Sequence, residues 1–315
     1  MIGFLITHVL PGNPVYLILG QRADQQSVAI LTHQLALDRP LPEQYLRYLA
    51  SLLHGDLGTS LRTGASVRSD LASRWPASAE LALAGGFLAL AWGLSVGVMA
   101  AVMQGTRWDK LASLVTGLGV SVPEFWLGLI LILIFFSTLK IAPAPIGRLP
   151  AEIVAPPTVT GLYTVDALFA GDWGAFFGAW GQLALPALTL AFVGGAPIAR
   201  ISRAAMREAL DSQYVRFARA LGVGRVSVIL RYALPSALLP VTTMMALLCG
   251  YLMGGDVLVE YVFAWPGLGN YAVDSIGASD YAPVMAVVEL SAISYLLIYV
   301  LLDLAHMVID PRTRA

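Results

Sequence analysis

Four carboxylate side chains lie inside or beside stretches of sequence that are otherwise apolar. Asp256 and Glu260 stand four residues apart near the end of one such stretch. Glu289 lies within another, and Glu124 follows Pro123 in a third. A charged group near the centre of a bilayer costs several kcal/mol, and it usually faces a cavity or a partner. Such carboxylates could line a path for a solute that carries an amine or a metal.

Each of these carboxylates also has a purely structural interpretation, which is an ion pair or a hydrogen bond between helices. Glu260 is expected near the outer boundary of the bilayer, where water hydrates it. Asp256, Glu289 and Glu124 are therefore our candidates for a translocation path.

The sequence lacks the patterns that are typical of catalysis, nucleotide binding and metal binding. Its four histidines are scattered, and neither H-E-x-x-H nor G-x-S-x-G occurs. The single Cys249 lies in an apolar run and excludes a disulfide framework. Residues 222–224 read GVG, without the lysine of a phosphate-binding loop. We predict no catalytic residue, no metal site and no cofactor, so ATP-driven work would need another subunit.

The composition identifies the bilayer as the main solvent of this chain. Of its 315 residues, 57% are hydrophobic and only 12% are charged. The mean hydropathy is +0.73. Soluble domains carry about 25% charged residues. The chain is therefore predicted to be an integral membrane protein.

The apolar runs have the length of membrane-spanning helices and predict an all-α, polytopic transmembrane helical bundle of about six spans. Residues 1–10 are apolar but short, and they are predicted to be a truncated first span. Pro123 should break or kink the third span. Four glycines in the second span should let helices approach closely, namely Gly85, Gly86, Gly93 and Gly97. The second to sixth spans are predicted at residues 79–103, 111–139, 183–201, 236–260 and 283–307.

The segments between the spans are predicted to be short or irregular. Residues 11–78 form a polar segment with a helix over Leu41–Leu53. Residues 140–182 are predicted to be irregular, with Trp173 and Trp180 at the membrane interface. Trp265 is predicted to lie in a turn at the outer face, as an interfacial tryptophan, as a gate or as a contact for a binding protein.

Arginine placement predicts the orientation of the bundle. Residues 200–231 hold seven arginines against two acids, a net charge of +5. Residues 140–182 and 261–282 carry net charges of −1 and −2. Because short cytoplasmic loops are enriched in Arg and Lys, the arginine-rich loop and the C-terminus should be cytoplasmic. Residues 11–78 are then an extracytoplasmic segment, and 79–315 form the membrane domain with a cytoplasmic loop at 202–235.

The loop contains a short amphipathic helix. We expect Asp211 or Ser212 as its N-cap and Gly222 as a left-handed C-cap. This predicts about three turns, roughly 15 Å in length. Arg216 and Arg219 lie on another face from its apolar stripe. That stripe comprises Tyr214, Phe217, Ala218 and Leu221. The helix could dock a partner outside the membrane, or lie flat on anionic lipid.

This stretch resembles the cytoplasmic signature loop in the permease subunits of binding-protein-dependent ABC importers. Arg216 stands where the general signature has Glu, and Tyr232 where it often has Ile. The version YVRFARALG is similar to that of the dipeptide, oligopeptide and nickel subfamily. The residues that match in order and spacing are Arg216, Ala218, Gly222, Leu234 and Pro235.

The resemblance covers nearly the whole chain through several further motifs. The longest are LDRPLPEQYLRYL at Leu37–Leu49 and GDLGTSLRTG at Gly55–Gly64. The others are LPGNPV at Leu10–Val15, SVPEFWLG at Ser121–Gly128, LPALTLA at Leu185–Ala191, VFAWPGLG at Val262–Gly269 and DPRTR at Asp310–Arg314.

The resemblance implies the fold of a type I ABC importer permease in a bacterial or archaeal plasma membrane. It implies as partners two cytoplasmic ATPase subunits, a second similar permease and an extracytoplasmic substrate-binding protein, and no nucleic acid. Phe217 and Leu221 would fill a cleft on an ATPase subunit, and Arg216 and Arg219 would orient the contact. The solute would be a peptide or a similar small solute such as a nickel complex.

Two other classes of protein compete with this interpretation. An ion-coupled secondary transporter also uses buried acids and broken helices, but convincing internal repeats are absent from the sequence. No sequence motif supports the second class, a membrane-embedded enzyme. Dependence of uptake on ATP would separate an ABC importer from a secondary transporter.

Overall fold

The computed structural model describes Phe4, Val15 and residues 24–34, 37–253 and 257–309. Predictions about the truncated first span, Asp256 and the tail from Asp310 fall outside these residues, apart from Phe4. Within them the chain is helical, with one isolated bridge between Thr59 and Ser66. The first helices are α1 (Gln25–Gln34), α2 (Leu41–Leu53), α3 (Val67–Val102), α4 (Arg107–Ser121), α5 (Glu124–Leu131, continued by a π-helix over Ile132–Thr138) and α6 (Tyr163–Ala170).

The remaining elements complete the bundle and its loops. They are α7 (Trp173–Asp211), α8 (Gln213–Ala220), α9 (Arg225–Ser227, followed by a π-helix over Val228–Ala233), α10 (Leu234–Met253), α11 (Val257–Val262), α12 (Leu268–Gly277) and α13 (Tyr281–Ile309). The predicted helix over Leu41–Leu53 is confirmed as α2.

The bundle is built around the parallel pair α3 and α7. Their contacts advance together along both helices, with Gly85 against Leu190, Gly93 against Ile198 and Gly97 against Ser202. A methyl group on Gly93 would stand 2.6 Å from the Gly195 carbonyl oxygen. The two backbones therefore touch, which confirms the close approach predicted from the small residues of the second span.

The parallel pair defines two ends of the bundle. We call the end where α3 and α7 terminate the basic end, and it carries residues 104–110 and 200–235. The opposite, distal end carries residues 37–66, 140–172 and 257–280. Leu248 of α10 packs on Gly194, and α10 starts at the basic end.

The third span is broken, as Pro123 predicted. α4 and α5 meet at an angle of 108°. Val122 and Pro123 are both extended, with ψ of 127° and 135°, because proline lacks the N–H that a helix needs and keeps the preceding residue out of the helical region. Gly119 packs on Ala196, about halfway along α7. The break therefore lies near mid-depth in the bundle.

Helix lengths differ from the predicted spans. Within the described residues, four helices can cross a membrane, or five if the bent pair is one span. The helix predicted from residue 79 begins at Val67, and that predicted from 183 begins at Trp173. Trp173 and Trp180 therefore lie in α7, and the prediction of an irregular segment through residue 182 is wrong. The first turns of α7 are less apolar than residues 183–201, from which the span was predicted. Asp172 stabilises these turns as the N-cap, because its side chain accepts from the Ala175 N–H at 2.9 Å.

At the distal end, the predictions that Trp265 is interfacial and that Glu260 is hydrated are wrong. Trp265 is only 1% exposed, and its Nε1–H donates to the Ala77 carbonyl oxygen at 2.8 Å. Glu260 is equally buried and accepts bonds from the Ser78 hydroxyl and, at 3.0 Å, the Asn270 N–H. The loop after α11 folds back onto the first half of α3, so neither residue is interfacial or hydrated.

A buried ion pair fixes the long loop before α7 to the same part of α3. Arg148 Nη2 lies 2.6 Å from Glu80 Oε2, and both side chains are almost fully buried. The Arg148 guanidinium also stacks 3.7 Å from the centre of the Tyr163 ring. Thr164 donates to Glu80 Oε1 through its N–H and its hydroxyl, each at 2.7 Å. Every oxygen of this buried carboxylate therefore has a partner, as burial of a charge requires.

Candidate docking surface and translocation face

The amphipathic helix α8 is shorter than predicted. It spans eight residues, Gln213–Ala220, which is about 12 Å rather than 15 Å. Ser212 occupies the N-cap position with an extended backbone, as expected. Its hydroxyl, however, donates to the Ala209 carbonyl oxygen at 2.6 Å and closes the end of α7 instead of capping α8. The chain thus turns sharply from the long α7 into α8.

Gly222 ends α8 in the left-handed conformation, which confirms the predicted C-cap. Its φ is +80°. The Gly222 N–H donates to the Arg219 carbonyl oxygen at 3.0 Å, and the Val223 N–H donates to that of Ala218 at 3.2 Å. These two bonds form a Schellman motif. Helix length and direction are therefore fixed at this end by a glycine.

One face of α8 is anchored in the bundle. Val215 and Ala218 are both buried, and Val215 belongs to an apolar cluster at the basic end. The other buried members are Ala101, Met206, Ala209, Val228, Ala233 and Ala237. Ala218 therefore belongs to the anchored face, and its assignment to a single stripe with Phe217 and Leu221 is wrong. Val215 thereby packs α8 against α7 and α10, because side chains of both helices belong to this cluster.

The opposite face of α8 presents large apolar side chains to the outside of the chain. Phe217 is 67% exposed and Leu221 is 68% exposed. Tyr214 is also exposed, and its hydroxyl donates to Ser236 Oγ at 3.0 Å. Arg216 and Arg219 are exposed beside them. Leu234 is half-buried and Pro235 exposed at the start of α10, near but outside this face.

An ion-pair cluster that the sequence patterns did not predict joins α4 to α7 at the basic end. Asp109 lies 2.5 Å from Arg203 Nη2 and 3.0 Å from Arg207 Nη2. It also accepts from the Gly105 N–H at 3.0 Å. The loop before α4 is thereby tied to α7. A signal was present, since Asp109 is the only acid in residues 104–110, where it stands between Arg107 and Lys110.

The two candidates for a translocation path that the structure describes, Glu124 and Glu289, do not converge. Glu124 lies at the mid-depth break, where the Tyr251 hydroxyl donates to its Oε2 at 3.4 Å. Tyr251 is largely exposed on α10. This pair therefore lies on a face of the bundle that the described part of the chain does not fully cover. Asp256 lies outside the described residues.

Glu289 lies elsewhere, on α13 near the distal end. The Tyr48 hydroxyl of α2 donates to its Oε1, and both side chains line a cavity of about 290 Å³ together with Phe4, Asp56 and Tyr281. Burial, and then the hydrogen bond to Glu289, raise the pKa of Tyr48 above its usual value. Glu289 Oε2 is buried without a hydrogen-bond partner in the described part of the chain. Glu289 thus links the polar segment to the bundle.

Comparison with known proteins identifies similar sequences over the whole chain. Residues 93–315 match the family described as "Binding-protein-dependent transport system inner membrane component". Residues 1–82 match the family described as "Binding-prot-dependent transport system membrane comp, N-term".

Three similar proteins are named for transport systems. The chain is 44% identical to the probable D,D-dipeptide transport system permease protein DdpB of Escherichia coli (strain K12), over 99% of this chain and 92% of the relative. It is 38% identical to the di/tripeptide transport system permease protein DppB of Pseudomonas aeruginosa, over 100% and 93%. It is 36% identical to the glutathione transport system permease protein GsiC of Salmonella paratyphi A, over 99% and 92%.

Proposed function

The chain belongs to the family of binding-protein-dependent transport system inner membrane components, and from this premise we propose that it carries short peptides across the membrane. It is a permease subunit of an ABC importer and a multi-pass protein of the inner membrane. ATPase subunits and a substrate-binding protein are the partners that this family implies. The sequence left an ion-coupled secondary transporter open as an alternative, and the family membership replaces it.

One observation carries the assignment of the solute class. The three relatives are named for a D,D-dipeptide, for di- and tripeptides, and for glutathione. All three names denote short peptides. None of the three names supports a nickel complex, which the sequence motifs had left open.

Uptake by cells that lack this chain tests the solute class. We expect deletion of its gene to lower uptake of labelled alanyl-alanine, in the L,L or the D,D form, at least tenfold. Uptake should return when the gene is supplied on a plasmid, and ⁶³Ni²⁺ uptake should not change. Loss of nickel uptake with unchanged peptide uptake would contradict the proposal, and full peptide uptake without the partner ATPase genes would contradict the energy source.

We further propose that α8 docks in a cleft on an ATPase subunit. Support comes from its two faces: Phe217 and Leu221 are exposed, whereas Val215 and Ala218 hold the helix to the bundle. Exposed aromatic and aliphatic side chains beside arginine are typical of the anchors of protein interfaces. Arg216 and Arg219 orient the contact.

The proposed coupling is mechanical. Two ATPase subunits close on ATP, each gripping the docking helix of one of two permeases, of which this chain is one. The apolar cluster under α8 passes the movement to α7 and α10. The bundle then alternates between outward and inward openings, each favoured by a different ligand state. This requires the basic end and the C-terminus to be cytoplasmic, as the arginine distribution predicts.

For the path itself we propose the face that carries Glu124 and Tyr251. A carboxylate at mid-depth, beside a helix break and an exposed tyrosine, can attract the amino terminus of a peptide. Asp256 and Glu289 stay candidates, although the contact of Glu289 with Tyr48 favours a role at the outer mouth.

A further inference from the structure

A cavity of about 460 Å³ lies at the basic end, between α3, α4 and α7. It is separate from the docking face of α8. Arg200, Arg203 and Arg207 of α7 line one side of it. Small residues, among them Gly97 and Gly117, line the other sides. The cavity exists because these residues leave space where larger side chains would fill the groove between the helices.

The cavity carries an excess of positive charge. Asp109 is the only acid paired with this cluster in the described residues, and it contacts Arg203 and Arg207. Arg200 has no ion-pair partner among those residues. The cluster thus holds one carboxylate for three guanidinium groups, which leaves two positive charges unbalanced.

Two donors of the same cluster are also unused. The Nε atoms of Arg203 and Arg207 are buried, and neither finds an acceptor in the part of the chain that the structure describes. A buried donor without an acceptor is destabilising. An anion with several oxygen atoms would accept hydrogen bonds from both Nε atoms and balance the excess positive charge. Phosphate is such an anion, and its geometry matches that of the guanidinium group.

The hydroxyl groups that line the cavity are already used within α4. The hydroxyls of Ser113, Thr116 and Ser121 donate back to carbonyl oxygens of their own helix at 2.8 to 2.9 Å. They offer no free donor to the carbonyl groups of a peptide. On the outer side of the same helix, Leu111, Leu114 and Leu118 are about half exposed. The helix that forms one wall of the cavity therefore has an outer surface that suits lipid.

We propose that this cavity binds the phosphate of an anionic phospholipid, with Arg200, Arg203 and Arg207 around the phosphate and an acyl chain along α4. Basic pockets between membrane helices are suited to such head groups, and the enrichment in arginine predicts that this end faces the cytoplasmic leaflet. The bound lipid would brace α4 against α7, the helix that leads directly into α8. The inference does not depend on which solute is transported.

Native mass spectrometry of the full-length chain, purified in detergent together with its partner subunits, tests the site. Phosphatidylglycerol is added, and the fraction of complexes that retain it is measured. We expect Arg200→Gln to lower the apparent affinity about fivefold, because it removes a charge without breaking the pairs of Asp109. Gly117→Leu should lower it at least as much, since a Cβ at Gly117 meets nothing within 4 Å and the side chain can enter the cavity.

Arg231→Gln is the matched control, because it removes the same charge at the same end outside the cavity, and it should leave retention unchanged. Equal retention by the wild type and both cavity variants would overturn the proposal, as would equal loss in the control. Phosphatidylcholine should bind more weakly; equal binding would contradict the role of charge. Displacement of the lipid by millimolar inorganic phosphate would identify a site for free phosphate, and displacement by an acidic dipeptide would identify a solute site. Either result would overturn the lipid assignment.

Discussion

Phe217 combines a largely exposed ring with a firmly held backbone. The ring is 67% exposed and therefore buries little of its surface against its own chain, whereas its neighbours Val215 and Ala218 are buried. A docked aromatic anchor is worth about 2 kcal/mol or more in protein interfaces. We therefore expect Phe217→Ala to lower peptide uptake about thirtyfold while the amount of protein in the membrane stays the same.

Uptake of labelled dipeptide, normalised to the permease detected in membranes, measures this effect. Phe169→Ala is the matched control, because Phe169 is similarly exposed at the distal end. Equal losses in the two variants, or unchanged uptake in Phe217→Ala, would show that the exposed ring is not a docking anchor.

Gly222 allows the effect of its left-handed backbone conformation on uptake to be tested separately from any side-chain contact. A side chain there would meet no atom within 4 Å, so only the backbone conformation at φ +80° resists substitution. A residue with a Cβ pays about 1 kcal/mol or more in this region. Gly222→Ala should loosen the end of α8 and lower uptake about fivefold, and Gly222→Asn should lower it less, since asparagine tolerates this conformation better.

Gly224 provides the comparison within the same turn. Its φ is −62°, and a Cβ there also meets nothing within 4 Å. Gly224→Ala should retain full uptake in the same assay. If both glycines tolerate alanine, the left-handed cap does not matter for coupling.

Residues whose structure depends on near neighbours in sequence were predictable, and the others were not. The conformation of Gly222 follows from bonds to Ala218 and Arg219, within one turn of helix. The burial of Glu260 and Trp265 depends on Ser78 and Ala77, more than 180 residues away. A pattern along the chain carries no information about such contacts, so both residues were wrongly assigned to the membrane surface.

At the scale of elements, the turn between α11 and α12 is locked onto α3. A methyl group at Gly267 would overlap Glu260 Oε1 and Ser78 Oγ, the atoms of a buried hydrogen bond. We expect Gly267→Ala to destabilise the purified complex by about 1–3 kcal/mol, the usual cost of overpacking. The melting temperature, followed by fluorescence-detected size exclusion, should fall.

The effect should be specific to that contact. Gly277 ends α12, and a Cβ there meets nothing within 4 Å. Gly277→Ala is expected to leave the melting temperature nearly unchanged. A similar melting temperature for both variants and the wild type would mean that the turn is not tightly held against α3.

The broken third span positions Glu124 for the proposed path. If its carboxylate meets the amino terminus of a peptide, Glu124→Gln should raise the KM for a dipeptide about tenfold, as expected for loss of a partly desolvated charge pair. The transport of an N-acetylated dipeptide should be unaffected. Equal effects on both solutes would assign Glu124 to helix packing, through Tyr251, rather than to the solute.

The break was predictable because proline acts on its own and the preceding residue. The lengths of α3 and α7 were not. Each helix begins ten residues or more before the apolar run from which it was predicted. Asp172 stabilises the added turns of α7, and packing of Val67 and Leu71 against α12 and α13 stabilises those of α3. Hydropathy detects the part of a helix that contacts lipid, whereas capping and loop packing decide where it ends.

At the scale of the whole molecule, the path itself could not be read from the sequence. Glu124 and Glu289 were grouped because both are acids in apolar runs. In the folded chain one contacts Tyr251 at mid-depth and the other contacts Tyr48 near the distal end. Which face of a bundle a side chain occupies is decided by helix packing, and for a permease also by its partner subunits.

The orientation of the bundle decides whether α8 can meet an ATPase, and it can be measured directly. With Cys249 replaced by alanine, the chain has no native thiol. Val154→Cys then reports the distal end and Val226→Cys the basic end, because both valines are highly exposed. A membrane-impermeant maleimide should label Val154→Cys in intact spheroplasts and Val226→Cys only after permeabilisation, since the arginines around Val226 should hold that end in the cytoplasm. Labelling of Val226→Cys in intact spheroplasts would put α8 on the wrong side of the membrane for ATP-driven closure, and both the docking role of Phe217 and the coupling scheme would then fail together.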